Sequence, residues 1–201
     1  RRDSPSRAMA APEGRVFIKE TPALAGNREM ASFAGDAAAS PQGWVSSART
    51  GGNNVNVLFN PDLSGGTMIN ASADGNFDFP LDLAPTRSPL GSSSASAANL
   101  FYWINLVHDR FYALGFNQTA RNFQAHNFGK GGASGDPVRA ETLRGAALDP
   151  TTTKQLIRNN AYFSSTPDGT PPLLAMLMWD ATINNQPASL DSSFDAGVII
   201  H

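Results

Sequence analysis

Residues 97–114 read AANLFYWINLVHDRFYAL, and this stretch organises everything around it. Leu100, Ile104, Val107, Phe111 and Leu114 recur at spacings of +4, +3, +4 and +3. That spacing brings them onto one side of a helix and predicts an amphipathic helix over about 97–114. Ser96 offers an N-cap hydroxyl, and Gly115 can take the left-handed conformation that closes a helix. Upstream, Ser88 to Ser96 (SPLGSSSAS) is low in complexity and reads as a linker.

Before that linker no helical period occurs. Residues 15–87 read as β-rich and loop-rich. Strand candidates are Arg15–Lys19, Gly43–Ser46, Asn54–Phe59 and Phe77–Phe79, each bounded by Gly, Asn, Asp or Pro. Asp62-Leu63-Ser64-Gly65-Gly66 is turn chemistry. Residues 1–14 (RRDSPSRAMAAPEG) suit either a flexible tail or a processing junction. Beyond the helix, 115–193 reads as strands and loops. Its strand candidates are 136–143, Asn160–Phe163 and the apolar run Leu173–Trp179, with tight-turn chemistry at Thr166–Gly169 and a short turn at Lys154–Arg158. The last segment, Phe194 to His201 (FDAGVIIH), is apolar with one His, an unusual composition for a frayed terminus. The fold class expected is therefore α+β, one β-rich lobe over 15–201 carrying one long helix.

Composition removes whole classes of function. The 201 residues carry 15 Lys+Arg against 17 Asp+Glu, and a formal charge of −2 supplies no electrostatic footprint for nucleic acid. No stretch approaches the ~18 apolar residues of a membrane span. With no Cys, disulfides, thiolate metal sites and thiol nucleophiles are excluded. Hydrophobic content of 41% excludes a disordered chain, while 18 Gly, 14 Pro and only 16% charged residues describe a loop-rich polar fold common outside cells. Arg1 opens no signal peptide, so a mature or trimmed segment is expected.

Individual motifs are weak alone. Asp74-Gly75-Asn76-Phe77-Asp78 alternates oxygen donors as a calcium loop does, but Phe79 and Pro85 stand where such a loop needs Gly and Glu. A turn is the better reading. His108 and Asp109 are adjacent on the helix and do not share a face, so a half-buried His with a local hydrogen bond is expected. His126 lies in a polar loop. Asn70-Ala71-Ser72 and Asn117-Gln118-Thr119 match the N-glycosylation pattern. There is no Gly-x-Ser-x-Gly elbow, no phosphate loop and no evident carboxylate pair. On chemistry alone the active site is incomplete.

Taken in order, however, several segments resemble the fungalysin family of secreted zinc metallopeptidases. They are NFDFPLD at 76–82, ANLFYWIN at 98–105, VHD at 107–109, NFQ at 122–124, NFGKGG at 127–132, NNA at 159–161, PDG at 167–169 and FDAGVIIH at 194–201. Family members carry a His-Glu-x-x-His helix directly after the last of these. The resemblance implies that 194–201 begins the active-site helix and that His201 is the first zinc ligand. It also implies that the catalytic Glu, the second His and the third ligand fall outside these 201 residues. Two His at i and i+4 chelate one ion, and the Glu between them deprotonates its bound water.

Fungalysins are similar in architecture to thermolysin-like peptidases, whose Asn-Ala-aromatic edge strand holds the substrate backbone. The resemblance assigns that role to the Asn160 side chain and the Ala161 carbonyl. It implies a secreted, extracellular enzyme acting on protein or peptide substrates and held inactive by its own propeptide, with no nucleic-acid or membrane partner. Thermolysin-like enzymes place a calcium-binding Asp four residues before the first zinc His. Here that position is Gly197, with Asp195 six before His201, so calcium stays open without support from the residues. The reading from another class is a non-catalytic extracellular β domain that binds glycan or protein.

Overall fold

The computed structural model describes residues 10–19, 28–148, 158–183 and 185–201. Residues 1–9 of the expected tail and most of the Lys154–Arg158 turn lie outside them. Five strands form the central sheet: β3 (Val55–Phe59), β4 (Thr67–Met68), β5 (Val138–Thr142), β6 (Ala161–Ser164) and β7 (Leu173–Met176), in spatial order β4-β3-β5-β7-β6. The inner strands β3, β5 and β7 run parallel, and the edge strands β4 and β6 are antiparallel to their neighbours. The inner strands are apolar on the face that packs the core, through Val55, Val57, Val138, Ala140, Leu174 and Met176.

Two hairpins flank this sheet. β1 (Glu13–Phe17) pairs with β2 (Arg28–Ser32), and β8 (Met178–Ile183) pairs with β9 (Gln186–Asp191). The helix α1 (Ser93–Ala113) lies between the β1–β2 hairpin and the apolar sheet face, and the short helix α2 (Ala196–Ile200) packs against it. Aromatic rings fill the space beneath. Phe33 sits 5.4 Å from Phe101, 5.5 Å from Phe77 and 5.9 Å from Trp44, centroid to centroid. Gly14 in β1 must be a glycine, since a Cβ there would lie 2.2 Å from the Phe33 ring.

The mixed architecture and the long helix match expectation, with differences that have physical causes. The linker expected at Ser88–Ser96 is instead a 3-10 turn (Pro89–Ser92) running into the first turn of α1. Ser96 is therefore no N-cap but a fully buried helical residue, and Ser92 takes the N-cap position. The first half of α1 is wrapped on several sides, with Ala95 through Phe101 all buried. A helix buried all round by small residues carries no periodic stripe, so its start is invisible to periodicity. The stripe itself divides: Leu100 and Ile104 are buried, whereas Phe111 and Leu114 are 45% and 81% exposed. The C-terminus follows its sequence signal. Gly115 (φ +103°) and Phe116 donate to the carbonyls of Tyr112 and Phe111, closing the last turn.

Gly43–Ser46 is not a strand, because Gly43 takes φ +75° and swings Trp44 into the core. Phe77 makes one isolated bridge to Gly14, so Phe77–Phe79 is not a strand either. The apolar run Leu173–Trp179 splits at Leu177 into β7 and β8, which belong to different sheets. β2 (REMAS) and β9 (QPASLD) lack apolar alternation and owe their conformation to pairing with β1 and β8.

Candidate active-site cleft

The chain enters the edge strand β6 through a clamp on β8. Asn159 is left-handed (φ +53°), its Nδ2 donates to Asp180 Oδ2 at 2.8 Å, and its Oδ1 accepts the Asp180 amide at 2.7 Å. Arg158 reaches the same carboxylate and donates to Ser189 Oγ at 2.7 Å. One residue on, Trp179 Nε1 donates to the Asn160 carbonyl at 3.2 Å. Asn160 is exposed, its Oδ1 accepts the Ala161 amide at 2.8 Å, and its Nδ2 has no partner among the described residues. Ala161 then begins β6, which pairs on one side only, with β7. The other edge of β6 is unpaired within the sheet, the geometry that accepts a further strand.

That edge opens onto a cavity of about 840 Å3. One wall is the exposed half of α1, with Val107, His108 and Phe111; a second is β6; a third is α2 from Gly197 to His201. Phe116, Phe123 and Phe163 line it as a ladder, with centroids 5.8 and 5.9 Å apart. The three residues predicted for the site, Asn160, Ala161 and His201, are thus brought to one cleft from segments forty residues apart in sequence.

Asp195 explains how α2 starts. Its Oδ1 accepts the Val198 amide at 3.3 Å and its carbonyl accepts the Ile199 amide at 3.1 Å. Asp195 is the helix cap, and Gly197, standing four before His201, has no side-chain oxygen to offer calcium. Val198 and Ile199 pack on the core, while Ile200 and His201 are exposed. Among the described residues no three His, Asp or Glu side chains form a metal-holding group. His201 fits zinc in donor type, as one imidazole of the three protein ligands a catalytic site needs.

His108 and Asp109 do meet, contrary to what helical facing suggests: His108 Nδ1 lies 3.0 Å from Asp109 Oδ1. Asn122 Nδ2 lies 3.3 Å from His108 Nε2, so both ring nitrogens have a polar neighbour. Asp109 is buried and also accepts from Ser40 Oγ, Trp44 Nε1 and the Asp36 amide at 2.6–2.8 Å. Burial pushes its carboxyl up, but the bonds from His108, Ser40, Asp36 and Trp44 together outweigh burial and hold it below the usual carboxylate range. This is the half-buried histidine with a local hydrogen-bond partner that the sequence predicts.

The weak motifs settle as loop structure. Asp74 accepts twice from Asn76, and Asp78 pairs with Arg15 at 2.6 Å. Asn70 is exposed, and Asn117 holds Thr119 through its side-chain oxygen. Sequence reading missed the clamp of Asn159, Asp180 and Trp179. The only signal available was the left-handed tolerance of Asn.

Comparison with known proteins identifies the family. The family model described as fungalysin metallopeptidase (M36) matches residues 15–201, and the chain belongs to that family. It is 36% identical over 183 residues to the extracellular metalloproteinase mep of Aspergillus niger, covering 88% of this chain and 27% of that protein. To the extracellular metalloproteinase MEP of Pyricularia oryzae it is 38% identical over 177 residues, covering 83% and 25%. To extracellular metalloproteinase 5 of Trichophyton tonsurans it is 35% identical over 182 residues, covering 88% and 28%. The chain therefore spans about a quarter of the length of these relatives. Among the described residues no helix is long and apolar enough to cross a membrane.

Proposed function

We propose that this chain forms the substrate-edge wall of a secreted zinc endopeptidase and supplies its first metal ligand, His201. The observation that carries the reading is the unpaired edge of β6, with exposed Asn160 at its head, facing a cleft that His201 also lines. A peptide substrate adds to β6 as an antiparallel or parallel strand. The Asn160 Nδ2, free of other partners among the described residues, donates to a substrate carbonyl, and the Ala161 carbonyl accepts from a substrate amide. When bound, zinc supplies an activated water for attack on the scissile carbonyl. His201 donates one imidazole nitrogen, and the general base and remaining ligands come from the part of the protein beyond these 201 residues. As in the family it resembles, its own propeptide would hold the precursor inactive. The names of the relatives support secretion.

The test is Asn160→Ala in the full-length enzyme. One lost hydrogen bond of about 1–1.5 kcal/mol predicts a kcat/KM lowered roughly tenfold. An unchanged value on several peptides would remove the substrate role from Asn160.

A further inference from the structure

The sheet face turned away from α1 carries a charged cluster with no part in the reading above. In β7, Leu174 and Met176 point into the main core, so Ala175 between them points to the opposite face, where it packs with Leu177 and Leu148. The pairing register places Glu141 of β5 on one side of Ala175 and Tyr162 of β6 on the other. Cross-strand neighbours share a face, so Glu141, Ala175 and Tyr162 form a row across the sheet. The methyl of Ala175 leaves room above it, and Arg144 occupies that room. Its Nη1 meets Glu141 Oε2, and its Nε donates to the Tyr162 hydroxyl at 3.1 Å.

Glu141 is 2% exposed and fully engaged. It accepts from Asn60 Nδ2 at 2.9 Å and Arg139 Nε at 2.8 Å as well as from Arg144. Among the described residues, this one carboxylate stands between two guanidiniums, those of Arg139 and Arg144. The Tyr162 oxygen, already accepting from Arg144, has its own proton uncommitted among the described residues. Tyr162 is 39% exposed and borders the cleft. The edge of the sheet thus ends in an outward-facing donor backed by a cation that a buried carboxylate holds in place.

We propose that Tyr162 and Arg144 form a selectivity position for acidic side chains. This rests on the reading of β6 as the substrate edge. A substrate strand added to β6 puts the side chain paired with Tyr162 on the Tyr162 face. There it meets the phenol proton and the guanidinium, which favour a carboxylate and disfavour an ammonium. The substrate class is therefore peptides with Asp or Glu at that one position.

The test uses the full-length enzyme and one parent peptide in which each position near the scissile bond is set in turn to Glu, Gln or Lys. At one position kcat/KM should favour Glu over Lys by about fivefold, the scale of a partly exposed charge contact. The ratio should shrink as ionic strength rises from low to high, which a merely structural role would not produce. Tyr162→Phe, which keeps the buried ion pairs intact, and Arg144→Met should each bring that ratio toward one, with Arg144→Lys restoring part of it. No position with a salt-sensitive preference, or a preference that survives both Tyr162→Phe and Arg144→Met, would overturn the proposal. Asn160→Ala separates the two readings. If it lowers kcat/KM on every peptide while the Glu-to-Lys ratio ignores Tyr162 and Arg144, the edge strand stands and the selectivity position falls. If Asn160→Ala changes nothing, the edge reading itself falls.

Discussion

Asp109 is held by neighbours from two separate segments: Asp36, Ser40 and Trp44 of one loop, and His108 beside it on α1. Removing its carboxylate strands several buried donors at once. Asp109→Ala should cost about 3–5 kcal/mol in urea unfolding at neutral pH. The pH dependence follows from a folded-state pKa held below the ordinary value. The stabilisation is present in full above the unfolded value of about 3.9 and is lost as pH falls through the folded value. The gap between native chain and variant should therefore narrow on acidification below about pH 4. A constant gap would show that Asp109 acts by packing alone. The helical register places adjacent residues on different faces, yet His108 and Asp109 touch because both side chains bend to a shared polar pocket. Such a pocket needs donors far apart in the chain, so a single helix segment cannot reveal it.

α1 illustrates how differently one element is treated along its length. Ala97 and Ala98 are fully buried between the hairpin and the sheet, and Asn99 bonds both the Phe17 amide (2.8 Å) and the Ser193 carbonyl (2.7 Å). Ala98→Leu should destabilise by about 1–3 kcal/mol through overpacking, while Leu114→Ala, at the exposed end, should change stability by less than about 0.5 kcal/mol. Thermal or urea unfolding of the two variants checks the pair, and the reverse order would show that the stripe and not the wrapped half carries the helix. The stripe of apolar residues predicts the helix because its period is local. It cannot predict which half is covered, since that depends on how far the sheet extends beneath it. β2 and β9 were illegible for a related reason: their residues become strands through partners.

At the level of the whole chain, α1, β6 and α2 surround one cleft lined by the imidazoles of His108 and His201, of which the proposed function makes only the exposed His201 a zinc ligand. Calorimetric titration of the 201-residue chain with zinc should show no tight, stoichiometric binding, and the chain alone should show no peptidase activity, because one imidazole cannot make a three-ligand site. Stoichiometric tight binding would place further ligands within these residues. Ordered local motifs were sufficient to reveal the family and the long helix, because turn chemistry, helical period and short motifs are properties of neighbours in the chain. The convergence of Asn160, Ala161 and His201, the Asn159–Asp180 clamp and the Glu141–Arg144–Tyr162 row arise from sheet register and packing. Those are long-range relations, in which a buried charge or an orphan amide is satisfied only when distant segments close upon it.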